Sequence, residues 1–595
     1  MNKICIMAEK RKVAMDHLIP LMKESFTRHA GYYESENYIV TWAIGHLLQL
    51  SDPEDYGVEG RWNLDQLPIK PKKFTLKPAP IKSKKDQLNC LKTLFNRKDV
   101  ALIINAADAG REGALIFDEV YSYSKSKKPV KFFWTSSYVL KDLEYALQNM
   151  KDMADYSNLI SAARCRRDAD WLYGINLSRA YSVVNETAPL GRVITPTLAL
   201  VVERDRKINN FVSEPLYSLK ATFGFIPMQY RDKSGQSSFK EKTILQEIET
   251  EIVSQTGRIV KVLNTESLLS PPLLYDITDL QTEASQKLGI PVNDVSEILQ
   301  TLSEGGYISY PRSDSNYLPS SMVEDISDII TGMLKIPCFS ETAAEALESG
   351  INVSNACFND DLVTDHYAII PTGVHPVDLS DQANAVYQMI VRRTLIRFLA
   401  PAKFHERELV LECQNHEFFA RAKRITCLGW LQHSEYSPAS SNLPNFPEGK
   451  PLRHQKSSIN TSMTRPPQPF TEATLLMAMK SAGKSLQSSS LRQSMDQRGL
   501  GTPATQSGII ERLKTTGLIA RSTSGHLCGT EKGKKIIENL IDDRIASAEI
   551  TGEFEYKLKK VEDGELSGAQ FMADLSHLVT QYVVSYKNTK KQART

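Results

Sequence analysis

The stretch of residues 100–113 constrains the fold of this chain more than any other. Its first five residues (VALII) are an apolar run with the length of a buried β-strand, and the next nine (NAADAGREG) form an acidic, glycine-containing loop that leads into a helical pattern. Two similar apolar runs lie at residues 3–8 and 130–134. Short buried strands that alternate with helices predict an α/β unit with a parallel sheet.

Acidic residues follow two of these predicted strands. Glu9 and Lys10 follow the first strand, and Asp108 and Glu112 follow the second. Ligands collect at the carboxyl ends of parallel strands, and Mg²⁺ prefers oxygen ligands. The three carboxylates therefore form a candidate metal site. The residues alone leave a second interpretation open, a glycine-rich turn with solvated charges.

A second candidate site lies at residues 306–315 (GYISYPRSDS). A tyrosine can attack phosphorus to form a covalent phosphotyrosine, and a nearby arginine can hold the phosphate oxygens. Tyr310 and Arg312 are the residues that would do so. Most tyrosines in such a run are packing residues, so a purely structural role for Tyr310 also remains open at this point.

Composition and length exclude several classes of protein. The 595 residues correspond to about four domains. With 41% hydrophobic residues the chain can form ordinary globular cores, and with a net charge of +2 any nucleic-acid surface has to be local. None of the eight cysteines is spaced as C-x-x-C, so we expect no zinc site. No stretch has the roughly 18 apolar residues of a membrane span, and the first apolar run is too short for a signal peptide, which predicts a cytoplasmic protein with no membrane partner.

Residues 478–485 (AMKSAGKS) end like a phosphate-binding loop. Ala478 stands in place of the first glycine, and a helical pattern rather than a strand precedes the segment. We therefore expect no ATP site here.

The remaining pattern divides the chain further. Residues 152–182 and 278–305 have helical patterns, residues 217–262 and 406–413 contain strand-like segments, and residues 436–451 look irregular. The basic tail at residues 587–595 is expected to fray.

The acidic motifs and the tyrosine motif occur in the order seen in type IA DNA topoisomerases, and the chain most resembles the bacterial topoisomerase III branch of that family. Further matches lie at residues 41–48 (TWAIGHLL), 61–64 (RWNL), 170–176 (DWLYGIN), 191–198 (GRVITPTL), 366–372 (HYAIIPT) and 499–505 (GLGTPAT). No single motif is specific, but together they span most of the chain.

The resemblance implies a multi-domain fold that combines an α/β domain with α and β domains, in the form of the type IA topoisomerase toroid with an N-terminal Toprim domain. The expected domains are a Toprim domain at residues 1–150, a helical single-strand-binding domain at 151–215 and 465–595, a β-rich arch at 216–280 and 400–464, and a tyrosine-bearing domain at 281–399.

The resemblance also implies an activity. A chain of this kind cleaves one DNA strand through a 5′-phosphotyrosine, passes a strand and religates, without ATP, and so relaxes or unlinks underwound DNA. Tyr310 would be the nucleophile, Lys10 the general acid for the leaving 3′-oxygen, and Arg312 the group that steadies the scissile phosphate. His366 would support the tyrosine and the phosphate, although a satisfied core histidine is the alternative.

Cofactor and partners follow from the same resemblance. Glu9, Asp108 and Glu112 would form the Mg²⁺ site, and Glu9 also counts among the catalytic residues. The partner would be DNA, single-stranded or underwound, bound by a monomer associated with the bacterial nucleoid. The positions that match the family's DNA groove are Trp62, Arg166, Trp171, Arg179, Leu190, Gly191, Arg192, Val193, Ile194, Arg312 and Thr505.

Aromatic platforms interleaved with arginines suit unpaired DNA, because bases stack and arginines follow phosphates. The same pattern also fits an amphipathic helix with solvated arginines and a buried tryptophan. Three residues depart from the family pattern: Gly110 replaces a second metal-loop aspartate, and Ile194 and Gln506 replace polar residues. These changes predict a weaker or differently built Mg²⁺ site and weaker DNA contacts.

Two other functions therefore remain to be separated from the topoisomerase. One is a catalytically weak single-stranded DNA-binding protein, and the other is a tyrosine nickase that does not pass strands. A covalent protein–DNA adduct distinguishes an enzyme from the first, and partly relaxed topoisomers rather than open circles distinguish a topoisomerase from the second.

Overall fold

The computed structural model describes residues 2–58, 60, 62–135, 140–363, 366–495 and 499–592. Arg61 of the motif at 61–64 and residues 593–595 of the basic tail lie outside the described residues. All eight cysteines are free thiols. None of the helices in the described part of the chain combines the length and the apolarity needed to span a membrane.

An open α/β sheet forms the amino-terminal region. Its strands are β1 (Lys3–Ala8), β2 (Thr27–His29), β3 (Tyr32–Glu34), β4 (Tyr38–Trp42), β7 (Val100–Ala106), β8 (Val130–Phe132) and β9 (Lys151–Asp152), and a separate pair is formed by β5 (Leu48–Leu50) and β6 (Leu76–Pro78). The helices are α1 (Arg11–Val13) and α2 (Ile19–Leu21), with a π-helical turn Ala14–Leu18 between them, α3 (Lys82–Phe95), α4 (Arg111–Ser124) and α5 (Leu140–Gln148).

The sheet order is β2-β3-β4-β1-β7-β8-β9, and β1 is parallel to both β4 and β7 while β7 is parallel to β8. The predicted parallel α/β unit is therefore confirmed. The third strand stops at Phe132 rather than continuing to Trp134. Because β1 and β7 are adjacent and parallel, the residues that follow them lie at the same edge of the sheet.

A long helix, α6 (Ser157–Val184), and α7 (Ile194–Asn209) follow the sheet. The predicted start at residue 152 is too early, since Met153–Tyr156 form a 3-10 turn that is capped by Asp152. Asn176 anchors α6 to the preceding loop, because its side chain accepts a hydrogen bond from the Ile69 amide (2.6 Å) and donates one to the Ile69 carbonyl (2.9 Å).

The chain then enters a closed β-barrel through β10 (Pro215–Phe223), β11 (Ile226–Arg231), α8 (Thr243–Ile252) and β12 (Thr256–Leu269). The strand-like region at residues 217–262 thus contains one helix, α8. The barrel is completed later in the chain, and its interior is filled by buried side chains that include Phe223, Ile259, Leu411 and Phe418.

A helical insertion interrupts the barrel. It contains α9 (Ile277–Leu288), α10 (Val292–Glu304), α11 (Val323–Met333), α12 (Ser340–Glu348) and α13 (Asp381–Arg397), and the chain returns to the barrel through β13 (Ala402–Cys413), β14 (His416–Cys427) and β15 (Pro451–Met463). The helix predicted over residues 278–305 is two helices, because Gly289 takes a left-handed conformation (φ +69°) and Pro291 follows it. The barrel order is β10-β11-β14-β13-β12-β15.

The carboxy-terminal region returns to the first helices. Its elements are α14 (Glu472–Ser481), α15 (Ser489–Met495), α16 (Pro503–Thr515), β16 (Ile519–Arg521), β17 (Leu527–Gly529), α17 (Glu531–Glu538), α18 (Ala548–Glu562) and α19 (Gly568–Gln592). Both α18 and α19 pack against α6. The prediction that the tail frays from residue 587 is wrong as far as Gln592, because α19 continues to that residue and the Lys587 ammonium donates to the Leu67 carbonyl (2.9 Å).

Candidate active site

The ends of β1 and β7 bring Glu9, Lys10 and Asp108 together. The Lys10 ammonium contacts the Asp108 carboxylate and lies 3.3 Å from Glu9 Oε1. Gly113, in the first turn of α4, allows the loop to fold this tightly, since a Cβ at that position would lie 2.1 Å from the Asp108 carbonyl oxygen. Only glycine fits there, which explains locally why the acidic loop contains it.

These buried charges perturb one another. Burial, together with the charge of Asp108, raises the pKa of Glu9 to about 7. Burial alone would raise the pKa of Asp108, but its contacts with the Lys10 ammonium and with His366 hold that pKa well below its usual range. Burial would lower the pKa of Lys10, but the neighbouring carboxylates raise it above its ordinary value. Lys10 is consequently protonated and Asp108 ionised at neutral pH.

Tyr310 lies directly over this group. The Lys10 ammonium is 3.7 Å from the centre of the Tyr310 ring, and the His366 ring packs on it with centroids 4.2 Å apart. His366 Nε2 is 3.2 Å from Asp108 Oδ2. Burial raises the pKa of Tyr310, while Lys10 acts in the opposite direction. Four predicted residues from distant parts of the chain thus form one group.

Backbone contacts hold the tyrosine loop beside the segment that carries His366. The Ser309 amide donates to the Ile370 carbonyl (2.9 Å), and the Ser309 hydroxyl donates to the Ala368 carbonyl (3.0 Å). The Ser313 hydroxyl donates to the carbonyl of His366 itself (3.0 Å). The tyrosine and the histidine are therefore placed as one unit.

Arg312 follows two residues after Tyr310 and is exposed. None of the described residues forms an ion pair with its guanidinium group. An exposed, uncommitted guanidinium beside a tyrosine can receive a phosphate through two parallel hydrogen bonds.

Glu112 is not brought into the group around Lys10. Its Oε1 lies 2.6 Å from His46 Nε2, and His46 Nδ1 lies 3.0 Å from Glu119 Oε2. Burial would lower the pKa of His46, but these two carboxylates raise it to about 10, so the ring is charged at neutral pH. Sequence reasoning gave His46 no role. The available signal was its position next to Gly45 inside the matched motif at residues 41–48.

The side chains present suit a hard cation in part. Among the described residues no three His, Cys, Asp or Glu side chains are already grouped as metal ligands. Glu9 Oε2, however, is a buried carboxylate oxygen that has no hydrogen-bond partner among the described residues. A buried carboxyl oxygen beside Asp108 is the kind of oxygen donor that Mg²⁺ favours, so the residues fit this ion.

Two of the predicted DNA-groove residues form a platform. Trp62 is 43% exposed, and the Arg179 guanidinium lies 5.1 Å from the centre of its ring. Arg179 is itself mostly buried and pairs with Glu54 (2.9 Å). An exposed indole ring backed by an arginine presents a flat surface on which a base can stack.

Trp171 is half-buried and packs against the apolar core of the helical region. Its ring packs edge-on against Tyr56 and Phe74, with centroids 5.6 Å apart in each case. Its indole N–H donates to the Ser51 carbonyl (3.1 Å). These contacts fix the orientation of the Trp171 ring within the protein.

Arg192 is also committed to the protein. It is buried and pairs with Asp170 (2.5 Å) and with Glu555 (3.0 Å). Arg166 lies 3.8 Å from the same Glu555 carboxylate and is partly exposed, and Arg111 reaches the other Glu555 oxygen at 3.4 Å. Glu555 was not identified from the sequence, and no local pattern distinguishes it from other glutamates on a helix.

The other groove positions lie at the start of α7 and α16. Leu190 and Ile194 are buried, whereas Thr505 is exposed. A Cβ on Gly501, which has φ +81°, would lie 3.2 Å from Val193 and 3.3 Å from Thr505, so the two motifs that carry these residues meet at this glycine. The Gly191 amide donates to the Thr195 hydroxyl (3.0 Å) shortly before α7 begins at Ile194.

The departures at Ile194 and Gln506 are both interior positions. Ile194 belongs to the apolar core of the helical region. The Gln506 side chain is fully buried and reaches the carbonyl oxygens of Leu500 (3.4 Å) and Gly501 (3.3 Å). Neither side chain presents itself to solvent in this state.

Comparisons with known proteins agree with this geometry. A family described as "DNA topoisomerase" matches residues 154–573, and the Toprim domain family matches residues 15–134. Curated relatives with the name DNA topoisomerase 3 include those of Bacillus licheniformis (32% identity, over 100% of this chain and 83% of the relative), Bacillus subtilis (31%, 100% and 83%) and Staphylococcus aureus (33%, 99% and 83%).

A similar solved structure is the full-length topoisomerase I of Thermotoga maritima. Its TM-score is 0.68 at 21% sequence identity, and the alignment covers 97% of this chain and 90% of that one. At this identity the likeness concerns the fold, and it agrees with the expected combination of a Toprim domain with α and β domains.

Proposed function

The chain belongs to the type IA DNA topoisomerase family, and on that premise we propose which of its residues perform the reaction. The protein is an ATP-independent DNA topoisomerase of the topoisomerase III type. The observation that carries the assignment of residues is that the Tyr310 ring contacts both the Lys10 ammonium (3.7 Å) and the His366 ring (4.2 Å), two groups that also contact Asp108.

In the proposed cleavage step Tyr310 loses its phenolic proton to solvent and its oxygen bonds to the scissile phosphorus. The bond from phosphorus to the 3′-oxygen breaks, its electron pair remains on that oxygen, and the oxygen takes a proton from Lys10. The downstream strand is then joined to Tyr310 through its 5′-phosphate. Religation reverses each of these transfers and needs no nucleotide.

Arg312 and His366 position the reacting groups. The exposed guanidinium of Arg312 binds the non-bridging phosphate oxygens as charge develops on them. His366, which contacts Asp108 at 3.2 Å and packs on the tyrosine ring, orients Tyr310 for attack. Its position against both residues supports the active-site interpretation over that of a core histidine.

Toprim domains are generally associated with Mg²⁺, and here we assign Glu9, Asp108 and Glu112 to that ion. When bound, the ion supplies positive charge that helps to position and neutralise the scissile phosphate. Glu9 Oε2 is available to it, whereas Glu112 has to leave His46 first.

Gly110 offers a test of this assignment. It has an extended backbone that any residue can adopt (φ −165°) and follows two residues after Asp108. The substitution Gly110→Asp is expected to lower the Mg²⁺ concentration for half-maximal adduct formation, because it adds a carboxylate at the ion site. An unchanged Mg²⁺ dependence would contradict the proposed position of the ion.

For DNA we propose that Trp62 and Arg179 stack one base and that Arg166, Arg312 and Thr505 contact the backbone of a single-stranded or underwound segment. Arg192 and Trp171 hold the walls of the groove from inside. The partial exposure of Arg166, in contrast with the burial of Arg192, supports this division.

The domain boundaries expected from the sequence also stand as a proposal. They are residues 1–150, 151–215 with 465–595, 216–280 with 400–464, and 281–399. Four apolar clusters support the division into a sheet, a helical region, a barrel and a tyrosine-bearing insertion. Some residues cross the expected bounds, since Leu64, Leu67, Ile69 and Val292 belong to the cluster of the helical region and Leu274, Tyr275 and Phe404 to that of the insertion.

The test is covalent trapping. The full chain is incubated with Mg²⁺ and single-stranded DNA labelled at its 3′ end and is quenched with detergent. We expect a labelled adduct from the wild type and from the matched control Tyr307→Phe, and none from Tyr310→Phe. An adduct that persists in Tyr310→Phe would disprove the assignment, and bound DNA without any wild-type adduct would favour a binding protein.

A further inference from the structure

The tyrosine-bearing insertion is linked covalently to the rest of the chain only through the barrel. The chain leaves the barrel at Leu269, the end of β12, and returns at Ala402, the start of β13. Tyr310, which belongs to this insertion, contacts Lys10 of the amino-terminal region. When the cleaved strand is held open for a second strand to pass, the insertion has to move away from every region it touches except the barrel.

One of the surfaces that has to separate is formed by α9 and α10 of the insertion against α14 and α16 of the carboxy-terminal region. Buried polar side chains line it. Gln281 donates to the Ser296 hydroxyl (2.6 Å), which lies 3.3 Å from the Ser507 hydroxyl of α16. Thr278 Oγ1 and Gln281 Oε1, both on α9, are buried and have no hydrogen-bond partner among the described residues.

Such a surface differs from a domain core. Burial of unpaired polar atoms costs free energy that is recovered when water reaches them. The polar layer between α9 and α16 therefore favours separation, and other contacts have to keep the surface closed.

Lys480, at the end of α14, makes two ion pairs across this surface. Its ammonium lies 2.6 Å from Asp276 Oδ2 and 2.7 Å from Asp279 Oδ1. Asp276 is 1% exposed and Lys480 is three-quarters buried, so solvent and salt screen the pair between them only weakly, whereas Asp279 is one-third exposed. Lys480 belongs to the segment that resembles a phosphate-binding loop. In the structure its ammonium forms ion pairs with two carboxylates of the insertion.

The insertion makes further contacts besides those of Lys480 and those of the active site, where His366 lies 3.2 Å from Asp108. Val292 packs into the apolar core of the helical region, and its amide donates to the Glu472 carboxylate (3.1 Å). Towards the amino-terminal sheet, the exposed Lys12 ammonium reaches the Ser303 carbonyl (2.8 Å). Exposed contacts of this kind contribute little.

We propose that Lys480 is a positioning residue for strand passage. Through Asp276 and Asp279 it holds the tyrosine-bearing insertion against the DNA-binding helical region, and the breaking of these two ion pairs accompanies the opening of the cleaved gate. This inference rests on the proposed assignment of Tyr310 as the nucleophile.

The consequence is a separation of two activities. Cleavage and religation of single-stranded DNA take place in the closed state and need only the group around Tyr310. Strand passage needs the open state. A variant without the lysine charge should therefore cleave normally and open more easily, whereas a variant that is merely misfolded would lose both activities.

The experiment holds one single-stranded DNA molecule in magnetic tweezers with the full-length protein and Mg²⁺, where opening of the cleaved complex lengthens the tether. Lys480→Gln is expected to raise the ratio of open to closed time by about tenfold, the factor that corresponds to the loss of a charged hydrogen bond. Asp279→Asn should give a smaller change in the same direction, because Asp276 still holds the lysine.

The matched control is Lys557→Gln, which removes a lysine ion pair with Asp574 (3.1 Å) that lies within the carboxy-terminal helices. We expect it to open like the wild type. Adduct yield on single-stranded DNA should stay within about twofold of wild type in all three variants, a difference worth less than about 0.5 kcal/mol.

Wild-type opening times in both Lys480→Gln and Asp279→Asn, with normal adduct formation, would overturn the inference about Lys480 alone. If the wild type formed no adduct, or Tyr310→Phe still formed one, the assignment of the nucleophile would fail and the inference with it. If both single variants, Lys480→Gln and Asp279→Asn, lost adduct formation, the inference would also be overturned, because the two ion pairs would then be needed for cleavage itself.

Discussion

The ammonium group of Lys10 lies 3.7 Å from the centre of the Tyr310 ring, although 300 residues separate the two in the sequence. The contact places the proposed proton donor beside the proposed nucleophile. Asp108, which contacts the same ammonium group, keeps it charged. The ammonium group of Lys10 therefore carries the proton that the leaving 3′-oxygen requires.

Lys10→Gln is expected to slow adduct formation by about 10²–10⁴-fold, because the 3′-oxygen then leaves without a proton. A substrate with sulfur at the bridging 3′ position should recover most of the rate, since a thiolate leaves unprotonated. The exposed Lys12→Gln is the control and should react like the wild type. Equal slowing on oxygen and sulfur substrates would show that Lys10 is not the acid.

Trp62→Ala is expected to weaken binding of single-stranded DNA by about 1–3 kcal/mol, the contribution of one stacked base, and to leave the thermal midpoint unchanged. Trp171→Ala should do the opposite, because its ring fills the space between Tyr56 and Phe74. Fluorescence anisotropy with labelled oligonucleotides and a melting curve measure both. The division of roles fails if Trp171→Ala loses affinity at an unchanged melting temperature.

Glu555→Gln removes the counter-charge shared by Arg111, Arg166 and Arg192. Loss of one partner in a buried ion-pair network leaves uncompensated charge, so we expect a loss of about 3 kcal/mol in stability. Glu553→Gln, on the same helix but in an exposed pair with Arg544, should cost under about 1 kcal/mol. Urea midpoints of the full chain compare the two variants, and equal midpoints would contradict the network.

Gly113→Ala is expected to abolish adduct formation, because the added methyl group would lie 2.1 Å from the Asp108 carbonyl and displace the acidic loop. Gly508→Ala is the matched control on another helix, where a Cβ meets no atom within 4 Å. It should stabilise the protein by about 0.5–1 kcal/mol, since alanine loses less backbone entropy in a helix. An active Gly113→Ala enzyme would show that the loop tolerates displacement.

The group around Lys10 could be predicted from the sequence because it depends on local rules. Apolar runs of strand length mark β1 and β7, and parallel neighbouring strands end at one edge, so Glu9, Lys10 and Asp108 had to approach one another. Tyr310 and His366 were found through the resemblance of their motifs. Their packing on Lys10 follows from the position of the whole insertion and has no local signal.

Other positions depended on partners that no pattern identifies. Arg192 has the same appearance in the sequence as Arg166, yet it is buried because Asp170 and Glu555 surround it. Trp171 is enclosed by Tyr56 and Phe74, which come from a loop more than 90 residues earlier. Glu112 was expected beside Asp108, but His46 offers it a charged partner at 2.6 Å.

The sequence by itself determined the α/β sheet, the acidic edge and the chemistry available at Tyr310, because strand and helix periodicity and residue type act over short distances. Only the tertiary structure decided which charged side chains are buried in ion pairs within the protein and which are exposed at its surface. Ion pairs form between segments that pack together, such as Lys480 with Asp276 and Asp279, and that packing is a property of the whole chain.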